Sequence, residues 1–363
     1  MILLGSTGSI GVNTLAVAKK FHIPVEVLCA GTNITLLNQQ IQEFNPKIIV
    51  IANKEDYHKL CYSNAKVFFG NDGIIQAIQE AKSHLVVNAL VGFTGLYPSL
   101  IAKQCQKKLA LANKESLVIG GWLFEDYPIT PIDSEHFGIW YLLNNRPIEK
   151  IIITASGGAF RDMDINQIPM QKAQQALQHP NWKMGKKITI DSATMVNKLF
   201  EILEARWLFK QSNITALIEK TSSIHAILNF QDGSSTAHFA NPDMQLPIAY
   251  ALDPIQAKQQ HIIKLFCFEE TFCFCFEKID TKRYPIWSIK EQLLENPKLG
   301  VVLNASNEIL VQYFLQEKIL FGEIAQNLFK VLDFFSNQCH INSIEELFEL
   351  DNKVRIYTKE ILK

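Results

Sequence analysis

The chain has 363 residues, 48% apolar and 20% charged, with 35 Lys+Arg against 36 Asp+Glu for a formal net charge of −1. That length is about two to three times one ordinary domain, and the apolar fraction is too high for a disordered chain. Balanced charge argues against a protein held on nucleic acid or anionic lipid by bulk electrostatics, and no apolar run approaches the roughly 20 residues of a membrane span.

Residues 1–4 read as a strand that runs straight into a glycine loop, which leaves no room for a secretory signal and points to a cytoplasmic protein. Further strands are expected at 25–30, 48–52, 67–69, 85–89 and 109–112, with amphipathic helices at 13–21, 36–44 and 73–81 between them. Alternation of this kind predicts an α/β domain over residues 1–130, a Rossmann-like doubly wound parallel sheet that binds its ligand beyond the strands' carboxyl ends. A second, α+β region spans 131–276, with a strand at 151–154, a polar loop at 179–187, a helix over 193–209 and a hairpin over 223–240 centred on Asp232-Gly233. Tyr284-Pro285 reads as linker within 277–295, and helices at 303–316, 321–334 and 343–350 make a C-terminal helical domain over 296–363.

Seven cysteines (Cys29, Cys61, Cys105, Cys267, Cys273, Cys275 and Cys339) form no C-x-x-C pair and no zinc spacing. Buried, reduced thiols are expected, with the Phe-Cys-Phe-Cys-Phe run packed as a strand.

Gly5-Ser6-Thr7-Gly8-Ser9-Ile10-Gly11 lies between a strand and a helix, as in a dinucleotide fingerprint, although its spacing is G-x-x-G-x-x-G. Glycines let a pyrophosphate approach the backbone, and the helix N-terminus offers it free N–H groups. The second strand ends in Gly31-Thr32-Asn33 with no carboxylate for a ribose 2′-hydroxyl, because Glu26 falls inside the strand; this favours NADP over NAD.

Asp133 and Glu135 sit at i and i+2, on one side of an extended chain, and such converging anions call for a proton or a hard cation such as Mg²⁺ or Mn²⁺. A helix capped by Asp191 or Ser192 would bury Val196, Leu199, Phe200 and Leu203 and gather Asn197, Lys198, Glu201 and Glu204 on its polar face. That face is either a solvated Lys–Glu pair or a phosphate ligand beside a third metal carboxylate. Ser156-Gly157-Gly158 could wrap a phosphate, and the loop holding His179 and Trp182 is either an anchored turn or a lid that stands open without substrate.

Taken together, GSTGSIG (5–11), LANKESLV (111–118), DSEH (133–136), SGG (156–158), HPNWKMGKKITIDSATM (179–195), PDM (242–244) and LNASNE (303–308) resemble the 1-deoxy-D-xylulose 5-phosphate reductoisomerase family. The resemblance implies a homodimer whose central region, 131–276, serves catalysis and dimerisation. It implies an NADPH- and metal-dependent conversion of 1-deoxy-D-xylulose 5-phosphate to 2-C-methyl-D-erythritol 4-phosphate in the non-mevalonate isoprenoid pathway, with Co²⁺ a further metal candidate. Matched onto this chain, Thr7, Gly8, Ser9, Ile10, Gly31, Thr32, Asn33, Asn113, Glu115 and Gly185 would contact NADPH, and Asp133, Glu135 and Glu201 the metal. Lys114, Ser134, Glu135, Ser156, His179, Ser192, Asn197, Lys198 and Glu201 would surround the substrate, with Lys114 adding charge stabilisation or proton transfer.

Three departures stand out. Thr32 replaces the family's lysine, Phe200 replaces the glycine of NKGLE, and Glu219-Lys220 stand where a His-Pro pair is common. Ser134 would face away from the carboxylates in a straight strand and needs a bend to reach substrate. Rival readings are a semialdehyde dehydrogenase, which needs an activated cysteine, and a catalytically dead nucleotide-binding regulator. The regulator would be expected to lack at least one of Asp133, Glu135, Glu201 and Lys198, and all four are present.

Overall fold

The protein is described by a computed structural model, which covers residues 1–61, 63–182, 184–269 and 273–363. It packs as two compact units. The first comprises Met1–Ser116, Leu123–Phe137 and Asp243–Lys264; the second comprises Leu117–Trp122, Gly138–Pro242 and Leu265–Lys363.

Short runs of mostly apolar residues in the first unit form a sheet whose central strands are buried on both faces, the expected state of a covered parallel sheet, while its two edge strands are partly exposed. The strands are β1 (Ile2–Leu4), β2 (Val27–Ala30), β3 (Ile48–Ile51), β4 (Lys66–Phe69), β5 (Leu85–Asn88), β6 (Lys108–Leu111) and β7 (Ile129–Pro131). All pair in parallel, in the order β4-β3-β2-β1-β5-β6-β7. The six expected strands are present within about two residues at each end. β7 was not expected; it is three residues long and ends in proline, which an edge strand tolerates. Leu3, Leu28, Ile49, Val87, Leu37 and Ile41 lie in the core that the sheet shares with its helices. After crossing the second unit the chain returns, and helix Gln245–Leu252 packs on helix Ser9–Lys20.

Strand order reverses between β1 and β5, so the crevice that takes ligands in such sheets opens beyond Leu4, where the glycine loop begins. Gly5 has φ +83°, and a Cβ there would stand 2.5 Å from Ala89 O. Gly11 lets helix Ser9–Lys20 close onto the loop, since a Cβ would stand 2.2 Å from Gly5 O.

The second unit has a mixed sheet in the order β11-β10-β8-β9-β12. Its strands are β8 (Ile148–Ala155), β9 (Ile214–Ile218), β10 (Ile224–Phe230), β11 (Ser235–Phe239) and β12 (Glu277–Lys278). The β10–β11 hairpin turns at Asp232-Gly233 as expected: Gly233 has φ +84° and the Asp232 carboxylate accepts from Ser234 N at 2.8 Å. Helices Gly300–Leu315, Phe321–Phe335 and Ile344–Glu360 follow. The last runs ten residues past its expected end at Leu350, because Asp351, Val354 and Thr358 continue its buried stripe.

Three expectations fail here. The helix expected over 193–209 is two helices, Lys186–Thr194 and Val196–Phe209, separated by Met195 at φ +74°. Asp191 and Ser192 are therefore inside the earlier helix and cap nothing. Tyr284 is no linker residue, being 2% exposed with its hydroxyl donating to Gly157 O at 2.8 Å. Residues 273–276 form no strand, and Cys267, Cys273 and Cys275 are exposed, whereas Cys29 and Cys339 are buried as expected. Phe272 and Lys183 lie outside the described residues.

Since the atoms a methyl group at residue 11 would meet are backbone, Gly11→Ala should destabilise the protein by about 1–3 kcal/mol. The urea midpoint should fall with an unchanged slope. A wild-type midpoint would show that the helix can slide away from the loop.

Candidate active site

The glycine loop is stitched to the end of β2, with Gly5 N and Ser6 N donating to Cys29 O at 2.9 and 2.8 Å. Gly8 is the N-cap of helix Ser9–Lys20 and has no side chain to offer the first N–H groups, which suits them to a phosphate. Thr7 and Ile10 are half-buried; Gly8, Ser9, Gly31, Thr32 and Asn33 are exposed. The Asn33 side chain caps helix Ile34–Phe44, accepting from Leu36 N at 3.2 Å. Glu26 lies just before β2, and its carboxylate accepts from Ser83 N, Ser83 Oγ and Lys82 N at 2.7, 2.6 and 3.0 Å. That carboxylate is thus committed to holding the 82–83 turn. Asn113 and Glu115 lie in the loop and first helical turn after β6. The Asn113 amide donates to Leu90 O and Gly92 O at 3.0 Å and to Glu115 Oε2 at 3.2 Å. Gly185, in the second unit, is the N-cap of helix Lys186–Thr194 with open space around its Cα.

Asp133 and Glu135 do not lie on an extended chain. Helix Ser134–Leu142 starts between them, and Asp133 Oδ1 accepts from Glu135 N at 3.1 Å. The helical turn supplies the bend that Ser134 needed, and its hydroxyl donates to Glu135 Oε2 at 2.7 Å. Asp133 Oδ2 accepts from Lys114 Nζ at 2.6 Å, and its Oδ1 lies 3.0 Å from His136 Nδ1. Burial disfavours the Asp133 carboxylate, but the Lys114 ammonium and His136 outweigh it and hold its pKa well below the usual carboxylate range. Asp133 is an anion at any physiological pH.

In the second unit β8 ends at Ala155 and the chain turns through Ser156, Gly157 (φ +86°) and Gly158 (φ +68°). A Cβ on Gly158 would stand 2.6 Å from Ala193 Cα, so the glycine brings this loop against helix Lys186–Thr194. Ser156 Oγ and Ser192 Oγ lie 2.9 and 3.2 Å from His179 Nε2. His179 Nδ1 accepts from Trp182 N at 2.9 Å and Asn181 N at 3.2 Å. With Nδ1 accepting, the neutral ring carries its proton on Nε2, pointing at the two hydroxyls. Burial, and then the Arg161 guanidinium, push the His179 pKa down to about 4.

The 179–182 loop was expected to stand open without substrate. Instead it is tied down, by these bonds and by Asn181 Nδ2 donating to Lys220 O and Ser222 Oγ at 2.8 and 2.7 Å. Hydrogen bonds supply the anchoring that its few apolar residues do not. Trp182 lies 6.3 Å, ring to ring, from buried His225.

The break at Met195 starts a fresh helix whose first turn carries Asn197 and Lys198. Lys198, Glu201 and Glu204, expected on a polar face, are all buried. Lys198 Nζ bonds both Glu201 Oε2 and Thr154 O, and Asn197 Nδ2 donates to Glu201 Oε1 at 2.5 Å. Two residues were not anticipated. Arg161 Nη1 donates to Ser156 O at 2.9 Å, and Asn307 Nδ2 donates to Asp191 Oδ1 at 2.8 Å while Lys187 pairs with the same carboxylate. Asn307 lies within the LNASNE string, whereas nothing in the local sequence marks Arg161.

A dinucleotide-type sheet with an open glycine loop, and a separate pocket of hydroxyls, imidazole and buried lysine, define an oxidoreductase class that handles a phosphorylated small molecule. Profiles described as 1-deoxy-D-xylulose 5-phosphate reductoisomerase, its C-terminal domain and the DXP reductoisomerase C-terminal domain match residues 1–121, 129–209 and 239–357. Reductoisomerases of Wolinella succinogenes and Helicobacter pylori are each 52% identical, over 99% of this chain and 100% and 99% of theirs. The chain belongs to the 1-deoxy-D-xylulose 5-phosphate reductoisomerase family. A crystal structure of such an enzyme with NADPH, fosmidomycin and magnesium superposes with TM-score 0.92 at 30% identity, covering 99% of this chain and 97% of the other. The Zymomonas mobilis enzyme with NADPH gives 0.84 at 32% identity, covering 100% and 98%.

Burial also lowers the His238 pKa to about 4, so His179 and His238 both stay neutral in the fold well below their ordinary 6.5. Between those values the unfolded chain binds more protons, so their contribution to stability is complete above about pH 6.5 and is lost as pH falls toward about 4. His238→Gln should flatten that part of the curve, read from urea unfolding at stepped pH. An undiminished slope would mean that His238 titrates normally.

Proposed function

We propose that this chain converts 1-deoxy-D-xylulose 5-phosphate to 2-C-methyl-D-erythritol 4-phosphate, a step of the non-mevalonate isoprenoid pathway, using NADPH and a divalent metal. The observation that carries this reading is the convergence of Ser156 Oγ, Ser192 Oγ and His179 Nε2 in one pocket, with hydrogen-bond distances of 2.9 and 3.2 Å. Neutral donors at a glycine turn, backed by a helix N-terminus with Asn197 and Lys198 in its first turn, suit a phosphate monoester.

Thr7, Gly8, Ser9, Ile10, Gly31, Thr32, Asn33, Asn113, Glu115 and Gly185 bind NADPH in this reading. Residues 1–130 act as the cofactor domain, 131–276 as the catalytic and dimerisation domain, and 296–363 as a helical domain. Asp133, Glu135 and Glu201 hold the metal. They are hard oxygen donors, and Lys114 keeps Asp133 ionised before any cation arrives. Such donors fit Mg²⁺ or Mn²⁺, with Co²⁺ next. When bound, the metal supplies Lewis acidity toward the substrate's oxygens and NADPH supplies the hydride.

The protein's own groups do the rest. Ser156, Ser192, Asn197, Lys198 and His179 fix the phosphate, while Ser134, Glu135 and Glu201 orient the polar carbons. Lys114 stabilises developing negative charge or moves a proton, and Trp182 covers the reacting carbons against water.

The working form in this reading is a homodimer in the cytoplasm, where thiols stay reduced. An aromatic patch supports the dimer. Phe239, Phe268 and Phe276 are 39%, 64% and 40% exposed, and the Phe239 ring stands 5.8 and 5.4 Å from those of Phe268 and Phe274. Clusters of this kind on a soluble protein mark an interaction surface. Among the described residues no helix is long and apolar enough to cross a membrane.

NADPH oxidation should require 1-deoxy-D-xylulose 5-phosphate and stop with a chelator. Glu201→Gln should lose most metal-dependent turnover, on the order of 100-fold or more. It should also lower stability because the buried Lys198 ammonium loses its anionic partner, so turnover is read at a temperature where NADPH binding shows the variant folded. Wild-type turnover at the same metal concentration would remove Glu201 from the metal set.

The end of β2 offers no carboxylate to repel a 2′-phosphate, so NADPH should be preferred to NADH. Thr32→Asp should reverse that preference in kcat/KM, and equal values for both cofactors in the unmodified enzyme would refute the reading of this strand end.

A further inference from the structure

β9 ends at Ile218 and β10 begins at Ile224, joined by Glu-Lys-Thr-Ser-Ser. The first residue of this turn, Glu219, is only 1% exposed. Its Oε1 accepts from Thr221 N at 2.8 Å, and its Oε2 from Ser223 N at 3.0 Å and Ile224 N at 3.4 Å. A buried carboxylate collecting main-chain amides acts as a strong, charge-assisted clamp. Glu219 N in turn donates to Ala155 O at 2.9 Å, which fixes the turn one residue away from Ser156.

What the clamp holds is not a relaxed turn. Ser222 has φ +56°, a left-handed conformation uncommon for a side-chain-bearing residue. Such outliers persist where the surroundings over-determine them, and they concentrate at functional sites. At this one, Ser222 Oγ and Lys220 O are the two acceptors of the Asn181 amide, at 2.7 and 2.8 Å. Lys220 O also accepts from Arg161 Nη1 at 2.8 Å, the same nitrogen that donates to Ser156 O. Asn181 N and Trp182 N in turn occupy His179 Nδ1 and set its tautomer.

We propose that Glu219 is a positioning residue for the phosphate pocket: by clamping the 219–224 turn it presents two acceptors to Asn181, and so holds the His179 loop with Nε2–H aimed at Ser156 and Ser192. The proposal rests on the reading above that these three residues take the substrate's phosphate. A neutral amide cannot replace the carboxylate, because its NH₂ would face a main-chain N–H wherever it points. The effect belongs to substrate binding.

The test uses the full-length enzyme with NADPH and magnesium. Glu219→Gln should raise KM for 1-deoxy-D-xylulose 5-phosphate about tenfold, the weight of one or two lost hydrogen bonds, with a smaller fall in kcat, about threefold, because Trp182 rides on the same loop. Asn181→Ala should do the same. The double variant should be no worse than the poorer single one, because both break one chain of contacts. Hydrogen exchange gives an independent readout. Amides 221–224 should exchange faster in Glu219→Gln only, and amides 179–182 faster in both variants. Should Glu219→Gln not fold, Ser222→Ala removes one acceptor, leaves the carboxylate in place, and must raise KM in the same way. A KM unchanged by these variants, effects that multiply in the double variant, or unaltered exchange at 179–182 would each overturn the proposal. An enzyme inert toward this substrate whose 179–182 amides still lose protection would instead overturn the substrate assignment and support the clamp.

Discussion

Lys198 carries an ammonium into an interior where it is 4% exposed, and a lone charge there would cost several kcal/mol. Much of the second unit's geometry meets that requirement. Glu201, one turn later on the same helix, and Thr154 O, at the end of β8, are the partners that make the burial tolerable. Glu201 is an i,i+3 neighbour on that helix and Thr154 belongs to β8, so the ammonium ties helix Val196–Phe209 to the strand that leads into Ser156. The helix starts after a left-handed Met195, a conformation that carries a steric penalty outside glycine. Gly158 lets the turn after β8 close on Ala193, in the helix before that break. One buried cation and one glycine thus hold both helices against the end of β8.

Much of this was legible in the residues. Six strands of the parallel sheet could be read because burial on both faces demands unbroken apolar runs, and the Asp232-Gly233 hairpin because its turn chemistry is local. The site residues were found as types and spacings. Their setting was not. Nothing in Thr194-Met195-Val196 marks a break, since methionine is an ordinary helix former. Asp133 looked like half of an extended pair because a helix N-cap and a metal-ligating aspartate have the same composition; the structure shows the capping role directly. Tyr284-Pro285 read as linker because proline punctuates loops, and what holds it is Gly157 O, 127 residues away. Exposure of Phe268 and Cys273 contradicts an apolar run's usual fate, and no local pattern separates a core strand from an exposed apolar segment.

Polar groups already committed to the fold narrow what the cofactor end can do. Glu26 precedes β2, at the opposite end of that strand from the ligand crevice, and three donors from residues 82–83 hold its carboxylate. Asn33 caps its own helix, and Asn113 and Glu115 bond each other. Freeing any of them for a ribose would leave a buried or half-buried partner unsatisfied, at a cost comparable to the bond gained. Thr32 and Ser9, both exposed, carry no such commitment among the described hydrogen bonds.

The cluster around His179 is built differently from the one around Asp133. At Asp133 opposite charges are already paired, with the Lys114 ammonium 2.6 Å from the carboxylate. Around His179 the first donors are neutral: two hydroxyls and an imidazole that burial keeps unprotonated down to about pH 4. Neutral donors can be desolvated beforehand at far lower cost than charged ones, which lets the empty pocket stay ordered. Arg161 contributes its charge from behind Ser156 O, close enough to depress the imidazole's basicity. Asn181 N and Trp182 N fill Nδ1 from the other side, so the ring stays a neutral donor whose one proton sits on Nε2, the nitrogen that faces Ser156 and Ser192. A second proton would have to enter at Nδ1 against two main-chain N–H groups, so the same amides that fix the tautomer also keep the imidazole uncharged.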